Sequence, residues 1–276
     1  MKIGTVADHR GREGGGLIYP VYSRRSGGLS IGVNFFPDHK TCSFNCPYCE
    51  VFPFDSGLVF SLEAMKPALE SAVEDAKKKN IPIKDICFSG NGEPTMSTYF
   101  PEAVTAAAAI RSLLAPEAKL VLITNGSCLL NNPLFTFLKN SASPPVNLQI
   151  WLKLDAATEA WYRIINRCEI SHNILLSHIM DFAASQVPFS IQTMLCRING
   201  ALPETGENIA WVQLVTELAK LSGAGLRAVQ IYGKARPAYG DPLAEAAPLA
   251  ALTERAAMLC GALEKAGLAV PVEVYE

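Results

Sequence analysis

Six short β-rich runs, interspersed with stretches of helical character, leave few folds open to this 276-residue chain. The runs are Leu29 to Phe36, Ile83 to Ser89, Lys119 to Thr124, Asn147 to Leu154, Val187 to Leu195 and Leu226 to Tyr232. Amphipathic or Ala-rich segments lie near Ser61 to Lys79, Thr98 to Leu114, Thr158 to Ile165, His172 to Ala184 and Glu207 to Leu221, with a last one near Pro248 to Ala266. Alternation of this kind is the signature of βα units around a parallel sheet. Six units predict an α/β fold, a partial (β/α)6 TIM-like barrel over residues 29–276. Val270 to Tyr275 predicts a short further strand, which Pro271 confines to an edge or a strand start. Residues 1–28, rich in Gly and carrying Arg10, Arg12, Arg24 and Arg25, are expected to be an irregular arm.

Composition narrows the function classes. With 24 Lys and Arg against 26 Asp and Glu the formal net charge is −2, which argues against a chain built to coat a polyanion. At 49% hydrophobic residues there is material for one large core, so global disorder is excluded. No apolar run approaches the roughly 18 residues that cross a bilayer. Asp8, His9, Arg10, Arg12 and Glu13 stand where a signal peptide is apolar, so a cytoplasmic location is expected. Eight cysteines are too sparse for a disulfide scaffold, and three of them crowd between positions 42 and 49, which points to metal or redox chemistry.

Those three form a C-x3-C-x2-C loop, Cys42, Cys46 and Cys49, directly after the first strand of the βα series. Three thiolates on one compact loop can hold three irons of a cubane cluster, leaving a fourth iron open to an outside molecule. His39, three residues before Cys42, offers the alternative of a Cys3His zinc site and a non-catalytic, zinc-stabilised binding protein. After the second strand of that series comes Ser89-Gly90-Asn91-Gly92-Glu93-Pro94-Thr95. It lacks the third glycine of a dinucleotide loop, and Glu93 suits a pyrophosphate poorly.

On the cysteine loop the sequence resembles the radical S-adenosylmethionine (radical SAM) enzymes. Gly90-Asn91-Gly92-Glu93 is similar to that family's Gly-Gly-Glu motif, which holds the amino group of the cofactor's methionine moiety. Tyr22 to Arg25, Leu154 to Ala156, Arg163 to Arg167, Gln230 to Tyr232 and Ala235 to Pro237 resemble the branch that includes the wyosine-type tRNA-modifying synthases and bacterial relatives. Two departures stand out: Cys168 follows Arg167 where relatives often have proline, and no extra N-terminal cysteines precede Cys42. The resemblance implies a [4Fe–4S] cluster, S-adenosylmethionine as cofactor, a low-potential electron donor of the flavodoxin or ferredoxin type, and a substrate that is an RNA base, a metabolite or a peptide. Tyr48 matches the family's aromatic position beside the adenine.

Polar residues at the C-terminal ends of barrel strands are the remaining site candidates. They are Thr124 and Asn125, Lys153 and Asp155, and Ser190 and Gln192, which share one face of their strand while Val187, Phe189, Ile191, Thr193 and Leu195 take the other. Turn structure competes for Asn125, which precedes Gly126. Arg24, Arg25, Arg167 and Arg236 are candidates for anionic substrate groups, with surface ion pairs as the alternative. Of the other cysteines, Cys128, Cys168 and Cys196 are the ones a second cluster would draw on, but none lies in a paired spacing, and one cluster is expected.

Overall fold

The computed structural model describes residues 3–4, 16–51, 55–238 and 243–276; Asp8, His9, Arg10, Arg12 and Glu13 lie outside these. The chain divides into two compact units, one of residues 1–42, 51–124 and 136–150, the other of residues 43–50, 125–135 and 151–276.

In the first unit β1 (Ile18–Ser23) pairs antiparallel with β2 (Gly28–Val33), Ser23 opposite Gly28 and Ile18 opposite Val33. Part of the stretch expected to be irregular is thus a regular strand. Its signal was two β-forming runs around a short turn, obscured by the surrounding Gly and Arg residues. Helix α1 (Leu62–Lys78) starts at Ser61, whose hydroxyl accepts from the Ala64 amide at 3.2 Å, and it buries Met65, Leu69, Val73 and Ala76 on one stripe. Strands β3 (Ile83–Phe88) and β4 (Lys119–Thr124), with α2 (Phe100–Leu114) between them, continue from β2 in parallel. Phe35 anchors the core, its ring 4.8 Å from Phe60 and 6.0 Å from both Phe88 and Phe100. Because β2, β3 and β4 run the same way, the segments after Val33, Phe88 and Thr124 leave from one edge of the sheet.

Helix α3 (Asn132–Ser141) is an addition to the expected elements. Asn131 caps it, its Oδ1 accepting from the Leu134 amide at 3.1 Å, and Leu134, Phe137 and Leu138 supply the helical spacing. Strand β5 (Leu148–Lys153) begins in the first unit and ends in the second.

The second unit continues through α4 (Glu159–Ile165), α5 (His172–Ala184), β6 (Phe189–Ile198), α6 (Thr205–Ser222), β7 (Leu226–Gly233), β8 (Ala244–Ala246), α7 (Leu249–Lys265) and β9 (Val272–Tyr275). Strands β6, β7 and β9 are parallel, and β8 lies antiparallel on the end of β6. The terminal strand sits at the sheet's edge directly after Pro271, where a residue without an amide proton is tolerated. The alternation expected along β6 holds: the Phe189 ring meets Phe182 of α5 at 5.5 Å, while Gln192 on the other face bonds Gln230. Among the described residues no helix is long and apolar enough to cross a membrane.

His172, at the start of α5, is buried and stacks on Tyr162 with ring centroids 4.8 Å apart; its Nε2 has no hydrogen-bond partner among the described residues. Burial holds its pKa below the ordinary value of 6.5, against the Ala156 carbonyl and the Glu207 and Glu159 carboxylates, which pull it up. The unfolded chain therefore takes up this proton first as pH falls. The stability that the neutral imidazole secures is full above pH 6.5 and lost as pH drops through the lower folded value. Urea unfolding followed from pH 8 to pH 5 is expected to show a falling midpoint below about 6.5, and His172→Phe, which keeps the stack without the proton, is expected to flatten that fall.

Candidate cofactor and cluster site

The first unit clasps the start of the cysteine loop to the glycine motif by backbone alone. Thr41 donates its amide to the Asn91 carbonyl at 3.1 Å and accepts from the Glu93 amide at 2.8 Å, forming a parallel bridge with Gly92. This contact is why position 92 is glycine: a Cβ there would lie 1.7 Å from the Thr41 carbonyl oxygen. Asn34, one residue past β2, steadies the same turn by accepting from the Asn91 amide at 3.0 Å. Glu93 is buried, and its Oε1 accepts from the Thr95 hydroxyl at 2.6 Å and the Thr124 hydroxyl at 2.7 Å. Thr124 thus belongs with Glu93, as the expected strand-end placement requires.

In the second unit Asp155, just past β5, is fully buried and takes four donors. Oδ1 accepts from the Met194 amide at 2.8 Å and faces the Lys153 ammonium at 3.3 Å; Oδ2 accepts from Asn166 Nδ2 at 3.1 Å and from the Tyr48 hydroxyl. Its lone pairs are spent on the protein, so its role is to hold Tyr48 and Lys153 in place. Lys153 also bonds the Tyr232 hydroxyl, and its ammonium stands 4.9 Å and 5.0 Å from the Tyr48 and Tyr232 ring centres. Burial alone would depress the Lys153 pKa, but Asp155, then Tyr232, outweigh it and the net shift is upward. The Tyr48 hydroxyl is pushed well above its ordinary value by burial and by Asp155, so the phenol remains a neutral donor.

The cysteine loop is held from the same side. Asn45 donates its amide to the Asn166 carbonyl at 3.0 Å, and Asn166 Nδ2 lies 3.7 Å from Cys46 Sγ. Asn125 donates to the Ser43 hydroxyl at 3.0 Å while its Oδ1 accepts from the Ser127 amide at 2.9 Å, so it shapes its own turn and pins the loop at once. Burial, followed by the Asp155 charge, pushes the Cys46 thiol up to about 11. A cationic metal core offsets that cost, which is the chemistry expected of a cluster ligand. By donor chemistry Cys42, Cys46 and Cys49, each half-buried, are the thiolate type that a [4Fe–4S] cluster takes, each sulfur on a different iron. They do not favour the zinc alternative: His39 is exposed and paired with Asp38 at 2.7 Å, and among the described residues no three His, Cys, Asp or Glu side chains are placed to hold one ion.

Other expected residues separate. Gln192 is buried one register layer below Tyr232, whereas Ser190 is the second residue of β6, at the strand's beginning, because the strand runs on to Ile198. Arg24 and Arg25 occupy the β1–β2 turn ahead of β2, the sheet edge opposite to that of Gly92 and Glu93, with Arg25 acting on Asp85. They do not join the site. Arg236 bonds Glu50, the residue after Cys49, at 2.5 Å, and Arg167 is exposed beside Asn166. Both stay near the loop. Asn166, Thr95, Ser43 and Tyr232 were missed as site residues; for Tyr232 the signal was present, since it shares a strand face with Gln230.

Comparison with known proteins bears on the fold that carries this cysteine loop and glycine-glutamate turn. No family model matches the chain. A UPF0026 protein of Helicobacter pylori is 32% identical over 114 residues, 39% of this chain and 34% of that protein, so the match spans about a third of the curated relative's length. A radical SAM methyltransferase from Sphaerobacter thermophilus superposes with TM-score 0.62 at 14% identity, over 94% of this chain and 69% of its own. Streptococcus suis SuiB bound to S-adenosylmethionine gives 0.61 at 12% identity, over 86% and 48%; TYW1 with a bound lysine-pyruvate adduct gives 0.58 at 14%, over 89% and 84%. The chain has the fold of the radical SAM enzymes, a partial (β/α)6 barrel.

Two substitutions test the two clasps. Gly92→Ala is expected to force Thr41 and Gly92 apart and to cost about 1–3 kcal/mol in urea unfolding. Asp155→Ala, which leaves the half-buried Lys153 ammonium without its carboxylate, is expected to cost about 3–5 kcal/mol in urea unfolding.

Proposed function

We propose that this protein is a radical SAM enzyme carrying one [4Fe–4S] cluster on Cys42, Cys46 and Cys49. The observation that carries the reading is the Thr41–Gly92 bridge, which fastens the cysteine loop to the buried Glu93 carboxylate. When bound, the cluster supplies an open iron and one electron for reductive cleavage of S-adenosylmethionine to a 5′-deoxyadenosyl radical, which takes hydrogen from the substrate. Glu93, oriented by Thr95 and Thr124, is the partner for the cofactor's ammonium group, a charge-assisted pair that the backbone at Gly92 completes. Tyr48, fixed by Asp155, offers the adenine an aromatic edge, and Gln192 and Lys153 are further candidates for the cofactor's polar groups. Burial of these groups keeps water from the reacting atoms. The electron comes from a flavodoxin- or ferredoxin-type donor in the cytoplasm. Arg167 and Arg236, near the loop, are the candidates for an anionic part of the substrate. The substrate classes consistent with this site are an RNA base, a metabolite or a peptide.

Anaerobic reconstitution followed by dithionite and S-adenosylmethionine is expected to yield 5′-deoxyadenosine, with about four irons and four sulfides per chain. Changing Cys42, Cys46 or Cys49 singly to Ala is expected to abolish both. Glu93→Gln is expected to retain the iron and weaken cofactor affinity about tenfold or more. Full product yield in any single cysteine variant refutes the assignment. An iron count near eight, halved when Cys128, Cys168 and Cys196 are replaced together, refutes the single cluster.

A further inference from the structure

Strands β6, β7 and β9 place three polar side chains in one register row: Gln192 opposite Gln230, and Gln230 opposite Glu273. Gln192 Nε2 donates to Gln230 Oε1 at 2.6 Å, and Gln230 Nε2 donates to Glu273 Oε2 at 2.9 Å. The amides are therefore aligned head to tail, each donor aimed at the carboxylate, an arrangement in which each bond polarises the next. The Tyr275 hydroxyl donates to the same Oε2 at 2.8 Å. The next row up is Met194, Tyr232 and Tyr275, and Tyr232 is the residue that bonds Lys153. By strand alternation, Glu273 lies on the face that carries Lys153 and Tyr232, not on the face of Val229 and Ile231, which are fully buried.

The carboxylate is unusual in its company. Among the described residues its partners are Gln230 and Tyr275, both neutral, both on one oxygen. It is half-buried on the edge strand of its sheet, so it can be reached from the side. A partly desolvated carboxylate held by neutral donors is best completed by a cation, and a phenol ring beside it adds to that preference. Lys153 does not supply the cation, being engaged by Asp155 and Tyr232.

We infer that Glu273, with Gln230 and Tyr275, is a binding subsite for a protonated amine or guanidinium group, and that this group belongs to the substrate. The second half of that inference rests on the radical chemistry proposed above; amine binding itself does not. Agmatine, spermidine and N-acetyl-lysine amide are the probes, with N-acetyl-norleucine amide as the neutral isostere and guanosine as a neutral N–H donor, each titrated calorimetrically into the full chain. At least one cationic probe is expected to bind, with about tenfold loss in Glu273→Gln and about threefold loss in Tyr275→Phe, while Glu273→Asp retains part of the affinity. Equal binding of the neutral isostere, preference for guanosine, undiminished affinity in Glu273→Gln, or no binding of any cationic probe up to about 10 mM overturns the subsite. Failure of the unsubstituted protein to form 5′-deoxyadenosine is a separate result and bears on the radical chemistry alone.

Discussion

A single buried carboxylate organises the second unit. Asp155 has no exposed surface, and a charge in that position is tolerable only because every lone-pair direction meets a donor. Those donors come from four places in the chain: the cysteine loop through Tyr48, β5 through Lys153, the end of α4 through Asn166, and the β6 backbone through Met194. The loop after β5 that carries Asp155 is fixed in turn by Glu207 of α6, which accepts from the Ala157 amide at 2.7 Å and the Thr158 amide at 2.9 Å. Cysteine loop, strand and helix are thereby registered to one point.

The first unit solves the matching problem without a charge. Thr41 and Gly92 approach so closely that only backbone can fill the gap, and two amide hydrogen bonds set the distance between the cysteine loop and the Glu93 turn. Glu93 is then aimed by hydroxyls from Thr95 and Thr124, short side chains with little rotamer freedom to lose. Both devices confine positioning to small rigid groups, which suits a site where a reactive group has to meet one particular atom of its target.

Particular residues show how far sequence reasoning reaches. The cysteine loop and the Glu93 turn stand out in the sequence because each is a short motif in the segment that follows a strand, and such segments are local features. Gln192 was legible from period-two alternation, and its bond to Gln230 bears out the face assigned to it. Ser190 shares that face but lies at the wrong end of β6, because alternation reports the face and not the height along the strand. The antiparallel β1–β2 turn puts Arg24 and Arg25 at the sheet edge opposite Glu93, a placement that composition does not show because strand direction is not written in it. Helix α3 escaped notice because Asn132 and Pro133 read as loop, although both residue types are tolerated at a helix start.

The sequence by itself determined the βα succession, the cysteine loop after the strand now called β2, the glycine-glutamate turn after β3 and the edge placement forced by Pro271, since each depends on neighbours within a few positions. Tertiary structure decided which polar groups serve one another. Tyr48 meets Asp155 across 107 positions and Gln230 meets Glu273 across 43. Those pairings turned a candidate ligand, Asp155, into an internal anchor, and brought the unremarked Glu273 onto the face of Lys153. Parallel strands can pair only after long connections return the chain, so the identity of a strand's neighbour, and with it the partner of every inward side chain, is settled by the packed sheet and not by local pattern.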